Sequence, residues 1–215
     1  MARELEGIFC ALGLDPGAEQ VATLLKYLEL LQRWNATYNL TAVRERQAML
    51  TQHLADCLAV VGPLHRLGAQ GRPPARVRDV GSGGGLPGLV LAIMLPGLDV
   101  TCVDTVGKKA AFIRQVAGSL ALPQLHAAHA RVEALEAPPF DLITARAFSS
   151  LADLVSLTRS HLARGGVWMA MKGRPPLDEM AALPPDVEVF HVEPLVVPGL
   201  AAERCLVWMR PKTHN

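Results

Sequence analysis

Residues Asp79 to Gly88 read DVGSGGGLPG, set between an apolar-alternating run (Arg76-Val-Arg-Asp-Val80) and a stretch of helical character. Further on, Val100-Thr-Cys-Val103 forms a second apolar run that closes on Asp104. A strand, a glycine turn, a helix and a strand ending in an acid make the usual cradle for an adenosine-bearing cofactor. Glycine lets the backbone pass close to a ligand, and the acid accepts hydrogen bonds from ribose hydroxyls. The arrangement narrows the chain to a cofactor-using α/β enzyme.

The bulk properties fit that frame. A length of 215 residues suits one full domain with a modest extension. Half the residues are hydrophobic and 19% are charged, which allows a sizeable core. No apolar run reaches membrane-spanning length without a charge, Gly or Pro, and the opening MARELEGIF carries acids where a secretory signal would not. A cytoplasmic protein without a membrane partner is the expectation. Cys10, Cys57, Cys102 and Cys205 are widely spaced and form no CxxC, so they read as reduced thiols. The histidines have no metal-like spacing, and no metal is assigned. A net charge of +1 leaves any nucleic-acid role to local clusters.

Apolar residues at Val21, Leu24, Leu25, Leu28 and Leu31 recur at helical spacing, with Trp34 extending the stripe. A second helix is predicted over 47–64, ahead of a Pro/Gly/Arg-rich connector from Gly68 to Arg76. Residues 1–72 are therefore expected to form an N-terminal helical cap, and 73–215 a Rossmann-like domain. In the latter, strands are predicted near 77–80, 99–104, 125–130, 140–145 and 166–171. Helices are predicted near 87–95, 108–121, 151–163 and 177–183. Two β-rich segments, 187–197 and 204–209, then follow with no helix between them. The alternation predicts a doubly wound α/β fold, with a seven-stranded, mostly parallel sheet and an antiparallel edge hairpin.

The turn itself discriminates among cofactors. It reads G-x-G-x-G (Gly81, Gly83, Gly85), with Leu86 where a dinucleotide fingerprint wants Gly or Ala to seat a pyrophosphate. Pro87 suits a first helical turn. No Gly-Lys-Ser/Thr follows, so the turn is not a phosphate-binding P-loop. S-adenosylmethionine, which has no phosphates, fits better: the turn need only admit its methionine part and sulfonium, with Asp104 on the ribose. Asp79 either orients the amino acid moiety or braces the loop.

Methyl transfer from a sulfonium needs an aligned nucleophile and little else. A pyrimidine-carbon methylase would show a cysteine at the end of the fourth strand, and an exocyclic-amine methylase a D/N-P-P-aromatic motif. That strand reads FDLITARAFSSL, with neither. Arg146 stands at its end instead. A ring nitrogen with a free lone pair, such as the Hoogsteen nitrogen of guanine, needs no base and no covalent partner. The missing signatures point towards such an acceptor. Open alternatives are a methyltransferase of another acceptor, a cofactor-binding module without catalysis, and an NAD-linked oxidoreductase.

The chain resembles the bacterial small-subunit ribosomal RNA 7-methylguanosine methyltransferases, the glucose-inhibited division protein B family. The matching blocks span nearly its whole length: RWNATYNLTAVR (Arg33–Arg44), HLADC (His53–Cys57), DVGSGGGLPG, VDTVGKKAAFIRQV (Val103–Val116), ARVEAL (Ala130–Leu135), ARAFSSL (Ala145–Leu151), MKGR (Met171–Arg174) and ERCLV (Glu203–Val207). The resemblance implies S-adenosylmethionine-dependent methylation of one guanine in 16S rRNA, free or in a small subunit at some stage of assembly; the alternative in this setting is a non-catalytic cofactor-binding regulator of ribosome assembly or division. It implies cofactor contacts at Gly81, Leu86, Val132, Glu133 and Arg146, with Asp104 on the ribose. Family members often carry Pro at the position of Gly84.

Arg146 and Lys172 are candidates to orient the base or a phosphate. Candidate RNA contacts are Asn39, Arg44, His53, Lys108, Lys109 and Arg174. Further positive charge comes from Arg46, Arg72, Arg76, Arg78 and Arg114; were these groups to converge on the sheet's C-terminal edge, they would form a phosphate-binding rim. His53 and Asp56 share a helix face, while Asn35 and Thr41 are either caps or site contacts. Trp34 and Tyr38 read as core. A monomer is expected.

Overall fold

The structure, a computed structural model, describes residues 1–69, 71 and 73–212; the linker arginine Arg72 lies outside the described residues. Helix α1 (Ala2–Leu12) buries Leu5, Ile8 and Phe9, spaced to share one face, and stops at Gly13, whose φ of 64° caps it. Helix α2 (Ala18–Tyr38) buries Leu24, Tyr27, Leu28, Leu31 and Asn35, a stripe at helical spacing.

The single helix expected over 47–64 is broken. Helix α3 (Arg46–Met49) runs into a π-helical segment (Leu50–Ala55) and α4 (Asp56–Leu58), and α5 (Val61–Ala69) starts after a turn. Two causes are visible. Leu50, His53, Leu54, Ala55, Asp56, Cys57 and Leu58 are all buried, more than one α-helical stripe can cover, and a π turn widens the buried face. Pro63 then has no N–H for the carbonyl of Ala59, so the ladder cannot continue across it.

Beyond the connector the chain alternates as expected. In order come β1 (Arg76–Val80), α6 (Gly88–Met94), β2 (Asp99–Asp104), α7 (Gly107–Ser119), β3 (Leu125–His129), a 3-10 turn (Val132–Ala134) and β4 (Phe140–Arg146). There follow α8 (Leu151–Thr158), another 3-10 turn (Arg159–His161), β5 (Leu162–Lys172), α9 (Leu177–Ala181), β6 (Val187–Pro194) and β7 (Cys205–Pro211). The sheet order is β3-β2-β1-β4-β5-β7-β6; the first five strands are parallel, and β7 runs antiparallel to both its neighbours. The fold is thus the doubly wound, seven-stranded sheet with an edge hairpin that the alternation predicts. Its strand order reverses between β1 and β4, so ligands of such sheets lie in the crevice at the C-terminal ends of these two strands.

Each face of the sheet carries its own core. On one face, residues of the N-terminal helices (Leu5, Leu28, Leu54) share a cluster with Leu89, Phe112 and Trp208. On the other, Leu151 and Val155 of α8 pack on Val80, Ile143 and Trp168. At about 1.5–3 kcal/mol per buried large apolar side chain, the first cluster is what holds α2 over the turn after β1.

Arg78 does not join the other cations at the C-terminal edge. It sits on the central strand β1 and is fully buried, its guanidinium carbon 4.1 Å from the centre of the Phe140 ring, which Arg76 also approaches at 4.7 Å. A central parallel strand is covered on both faces, so an arginine there has no route to solvent. Burial, and secondarily Arg76, pushes its pKa down to about 10. Arg76 opens β1, at the edge opposite the crevice.

Candidate active site

The turn between β1 and α6 is drawn tight by backbone and carboxylate together. Gly81 and Gly83 have φ of 66° and 57°, conformations that L side chains rarely adopt. The Gly81 N–H donates to the Val103 carbonyl at 2.8 Å, stitching the turn to β2. A Cβ on Gly81 would lie 2.9 Å from Cδ2 of Phe148, so glycine is required twice over. Leu86 contributes its side chain to the core, leaving only backbone for a ligand.

Asp104, ending β2, is 6% exposed. Its Oδ2 accepts from the Gly83 N–H at 3.0 Å and its Oδ1 from the Val106 N–H at 2.8 Å, with Lys109 Nζ at 3.6 Å. The acid expected at a ribose therefore also shapes the turn. A carboxylate has about four lone-pair sites, so capacity remains for two hydroxyl donors.

Asp79 is fully buried beneath the turn. Its Oδ2 accepts from the Gly88 N–H at 2.8 Å, which is the bracing role; its Oδ1 has no partner among the described residues. Burial pushes the carboxyl up to about 7, against the opposing pull of the Gly88 N–H and Arg146.

Helix α2 walls the turn from above. The Tyr27 hydroxyl donates to the Gly84 carbonyl at 2.9 Å, and Leu31 packs where a side chain at 84 would begin. Tyr27→Phe removes this one bond and leaves a carbonyl without its donor. We expect it to cost about 1 kcal/mol, a fall in melting temperature of roughly 2–4 °C in a chain of this size, together with weaker cofactor binding by calorimetry. An unchanged cofactor affinity would show that the turn keeps its shape without α2.

At the end of β4, Arg146 donates from Nη1 to the Gln52 carbonyl at 3.0 Å and to Asp56 Oδ2 at 3.1 Å. Asp56 Oδ1 accepts from Arg204 Nε at 2.9 Å. His53 is buried beside them, with Nε2 2.9 Å from the Thr41 hydroxyl. Burial, reinforced by Arg146, pushes its pKa down to about 4, so the ring is neutral at pH 7. Asn35 is a brace: its amide donates to the Val43 carbonyl and its oxygen accepts from the Thr41 N–H. Asn39 caps α2 at φ 48° and accepts from Arg44 at 3.0 Å.

The remaining candidates divide by position. Val132 is buried and Glu133 exposed in the 3-10 turn after β3, where Glu133 pairs with Arg131 at 2.7 Å. Lys172, the last residue of β5, donates to Glu179 at 2.8 Å and to the Ser149 carbonyl at 3.1 Å, so its charge is largely matched. Lys108 and Lys109 follow β2, and Arg174 follows β5, 3.8 Å from Glu203. With Arg146 and Lys172 these cations occupy the C-terminal edge of the sheet; Arg76 and Arg78 do not, and Arg114 lies along α7 and donates to the Ala127 carbonyl. Tyr38, read as core, is 45% exposed and stacks on the partly buried Trp34 at 5.0 Å.

Three participants escaped sequence reasoning. Phe148 occupies the space that a side chain at Gly81 would need, across a loop that no spacing rule links to it. Tyr27 looks like an ordinary member of an apolar stripe. Arg204 lies far along the chain from the acid it meets. Cys57 and Cys102 are buried near the site, and burial drives both thiols well above their usual range, so neither is a ready nucleophile.

A family model described as rRNA small subunit methyltransferase G matches residues 20–207. A protein of that name from Acidovorax sp. (strain JS42) is 61% identical over 207 residues, covering 94% of this chain and 91% of the relative. Its namesake from Methylibium petroleiphilum is 58% identical over 213 residues, covering 99% and 95%. Among solved structures, TrmN from Thermus thermophilus aligns at a TM-score of 0.57 and 23% identity, over 76% of this chain and 53% of that one. A SAM-dependent methyltransferase from Thiobacillus denitrificans, in complex with S-adenosyl-L-homocysteine, aligns at 0.50 and 14% identity, over 71% and 92%. These two likenesses speak for the fold; the family model and the curated relatives, over nearly the whole length, make the chain a member of the rRNA small subunit methyltransferase G family.

Proposed function

We propose that this methyltransferase moves the methyl group of S-adenosylmethionine to ring nitrogen seven of one guanine in 16S rRNA, acting as a cytoplasmic monomer on the RNA or on an assembling small subunit. The observation that carries the reading is the cradle after β1. It combines three glycines at positive φ, Gly81, Gly83 and Gly85, an acid ending β2 with lone pairs to spare, and a buried carboxylate with one unpartnered oxygen. Asp104 suits the ribose hydroxyls and the unpartnered Asp79 Oδ1 suits an ammonium group. Gly81, Gly83 and Leu86 offer backbone, and Val132 with Glu133 stands where the adenine end would lie.

The cofactor supplies an electrophilic methyl on a cationic sulfur. A guanine ring nitrogen with a free lone pair would accept that methyl without losing a proton, so the chain would need to supply neither a base nor a covalent partner. The site agrees with that economy. His53 is neutral and committed to Thr41, and the nearby thiols are protonated. Catalysis then consists of positioning. Arg146 orients the target base or its phosphate, and Lys172 holds the Ser149 carbonyl and so the loop that carries Phe148. The cations along the C-terminal edge provide phosphate contacts. Residues 1–72 serve as a cap over the donor turn, and 73–215 as the transfer domain.

The test is to incubate the protein with methyl-labelled cofactor and either 16S rRNA or small subunits from cells lacking the enzyme, then map the label. We expect 7-methylguanosine at a single position. RNA without label, under conditions where the cofactor binds, would overturn the reading.

A further inference from the structure

Asp56 opens α4, and its side chain is 3% exposed. It accepts from two guanidiniums that arrive from sequence positions 90 and 148 residues away: Arg146 at the end of β4 and Arg204 just before β7. A buried carboxylate between two cations is held by charge-assisted bonds on both oxygens, each stronger than a neutral hydrogen bond. Beside it, the π-helical register does something specific. The Asp56 N–H bonds to the carbonyls of His53 and Thr51. In an α-helix it would take the Gln52 carbonyl. Gln52 is thereby free to accept from Arg146.

Both bonds use the same nitrogen, Nη1 of Arg146. Its Nε and Nη2 have no hydrogen-bond partner among the described residues, although the side chain is only 20% exposed. An arginine clamped through one nitrogen, with its other donors uncommitted at a ligand crevice, is pre-oriented to bind.

We propose that Asp56 is a positioning residue of the transfer site: together with the Gln52 carbonyl released by the π turn it forms a socket that aims Arg146 into the crevice, and Arg204 steadies Asp56 in turn. The helical cap thus sets the geometry of a group carried by the sheet. The inference rests on the reading that Arg146 contacts base, phosphate or cofactor.

A double-mutant cycle separates the two. Cofactor Kd, and kcat and KM with small-subunit RNA, are measured for wild type, Asp56→Asn, Arg146→Gln and the double variant, with melting temperatures alongside. Asp56→Asn should impair by about tenfold whichever parameter Arg146→Gln impairs, and the double variant should match Arg146→Gln within about twofold. A purely structural role would lower stability and multiply with the Arg146 loss; multiplied losses overturn the proposal. So does an Asp56→Asn enzyme equal to wild type while Arg146→Gln is impaired. An unimpaired Arg146→Gln enzyme overturns instead the reading beneath it, and the positioning role with it. Should Asp56→Asn fail to fold, Arg204→Gln replaces it in the cycle, since Arg204 touches Asp56 and not Arg146. The expected loss is then about threefold in the same parameter and absent in the Arg146→Gln background; an Arg204→Gln enzyme equal to wild type contradicts the proposal.

Discussion

Replacing Asp104 by alanine should weaken S-adenosylmethionine binding on the order of a hundredfold, about 2.7 kcal/mol, as read by calorimetry. Three losses combine. The Gly83 N–H loses the acceptor that holds the turn at its positive φ, the Val106 N–H loses the one that starts α7, and, on the proposed placement of the cofactor, its ribose loses a carboxylate. Hydrogen bonds to a charged group are worth about 1.5–3 kcal/mol each, so the loss of even one accounts for most of the effect. Asp104→Asn keeps one acceptor oxygen and should cost nearer tenfold. If the alanine variant bound cofactor normally, the turn would be held by something other than this acid and the ribose would lie elsewhere.

The second large effect is a pH dependence. In the folded protein burial pushes the Asp79 carboxyl up to about 7, from an ordinary value near 3.8. A raised acid favours the folded state while it is protonated. That contribution is full below the unfolded value, is lost as pH rises between about 4 and 7, and changes no further above it. Cofactor binding runs the other way. An ammonium group against Asp79 needs the carboxylate, so binding must expel the proton whenever the pH lies below about 7. Apparent affinity should fall by as much as tenfold per pH unit from 7 towards 5, with a plateau above. Asp79→Asn should bind more weakly at pH 8 and lose the slope. His53, pushed down to about 4, stays neutral across this window and does not add to it. A wild-type affinity flat between pH 5 and 7 would remove Asp79 from the cofactor site and leave it as a brace for α6.

What the sequence revealed and what it hid divide along physical lines. The sheet was legible because its signals are local: alternation marks β2 and β4, and the change from helix-separated strands to 187–194 and 205–211 marks the hairpin. The turn was legible because glycine at positive φ leaves a compositional trace, and Asp104 because a strand places it. The π segment was not, because a single apolar stripe looks the same in either helical register until burial of both His53 and Asp56 is seen. Whether Arg78 would join a rim was not legible, because charge alone does not reveal a central strand that sets its guanidinium over Phe140. Arg146 could be placed at a strand end, yet its bonds to Gln52, Asp56 and, through Asp56, Arg204 are long-range pairings that composition does not record. Tyr27 and Phe148 reach the glycine turn by packing, and packing leaves no spacing rule.

One measurement bears most directly on where the donor sits: a crystal structure of the protein soaked with S-adenosylhomocysteine. The expected density places both ribose hydroxyls within hydrogen-bond distance of Asp104, the amino group within reach of Asp79 Oδ1, and the sulfur over Gly81 on the side facing Arg146. Adenosine bound away from the β1–β4 crevice, or a ribose that leaves Asp104 untouched, would contradict it.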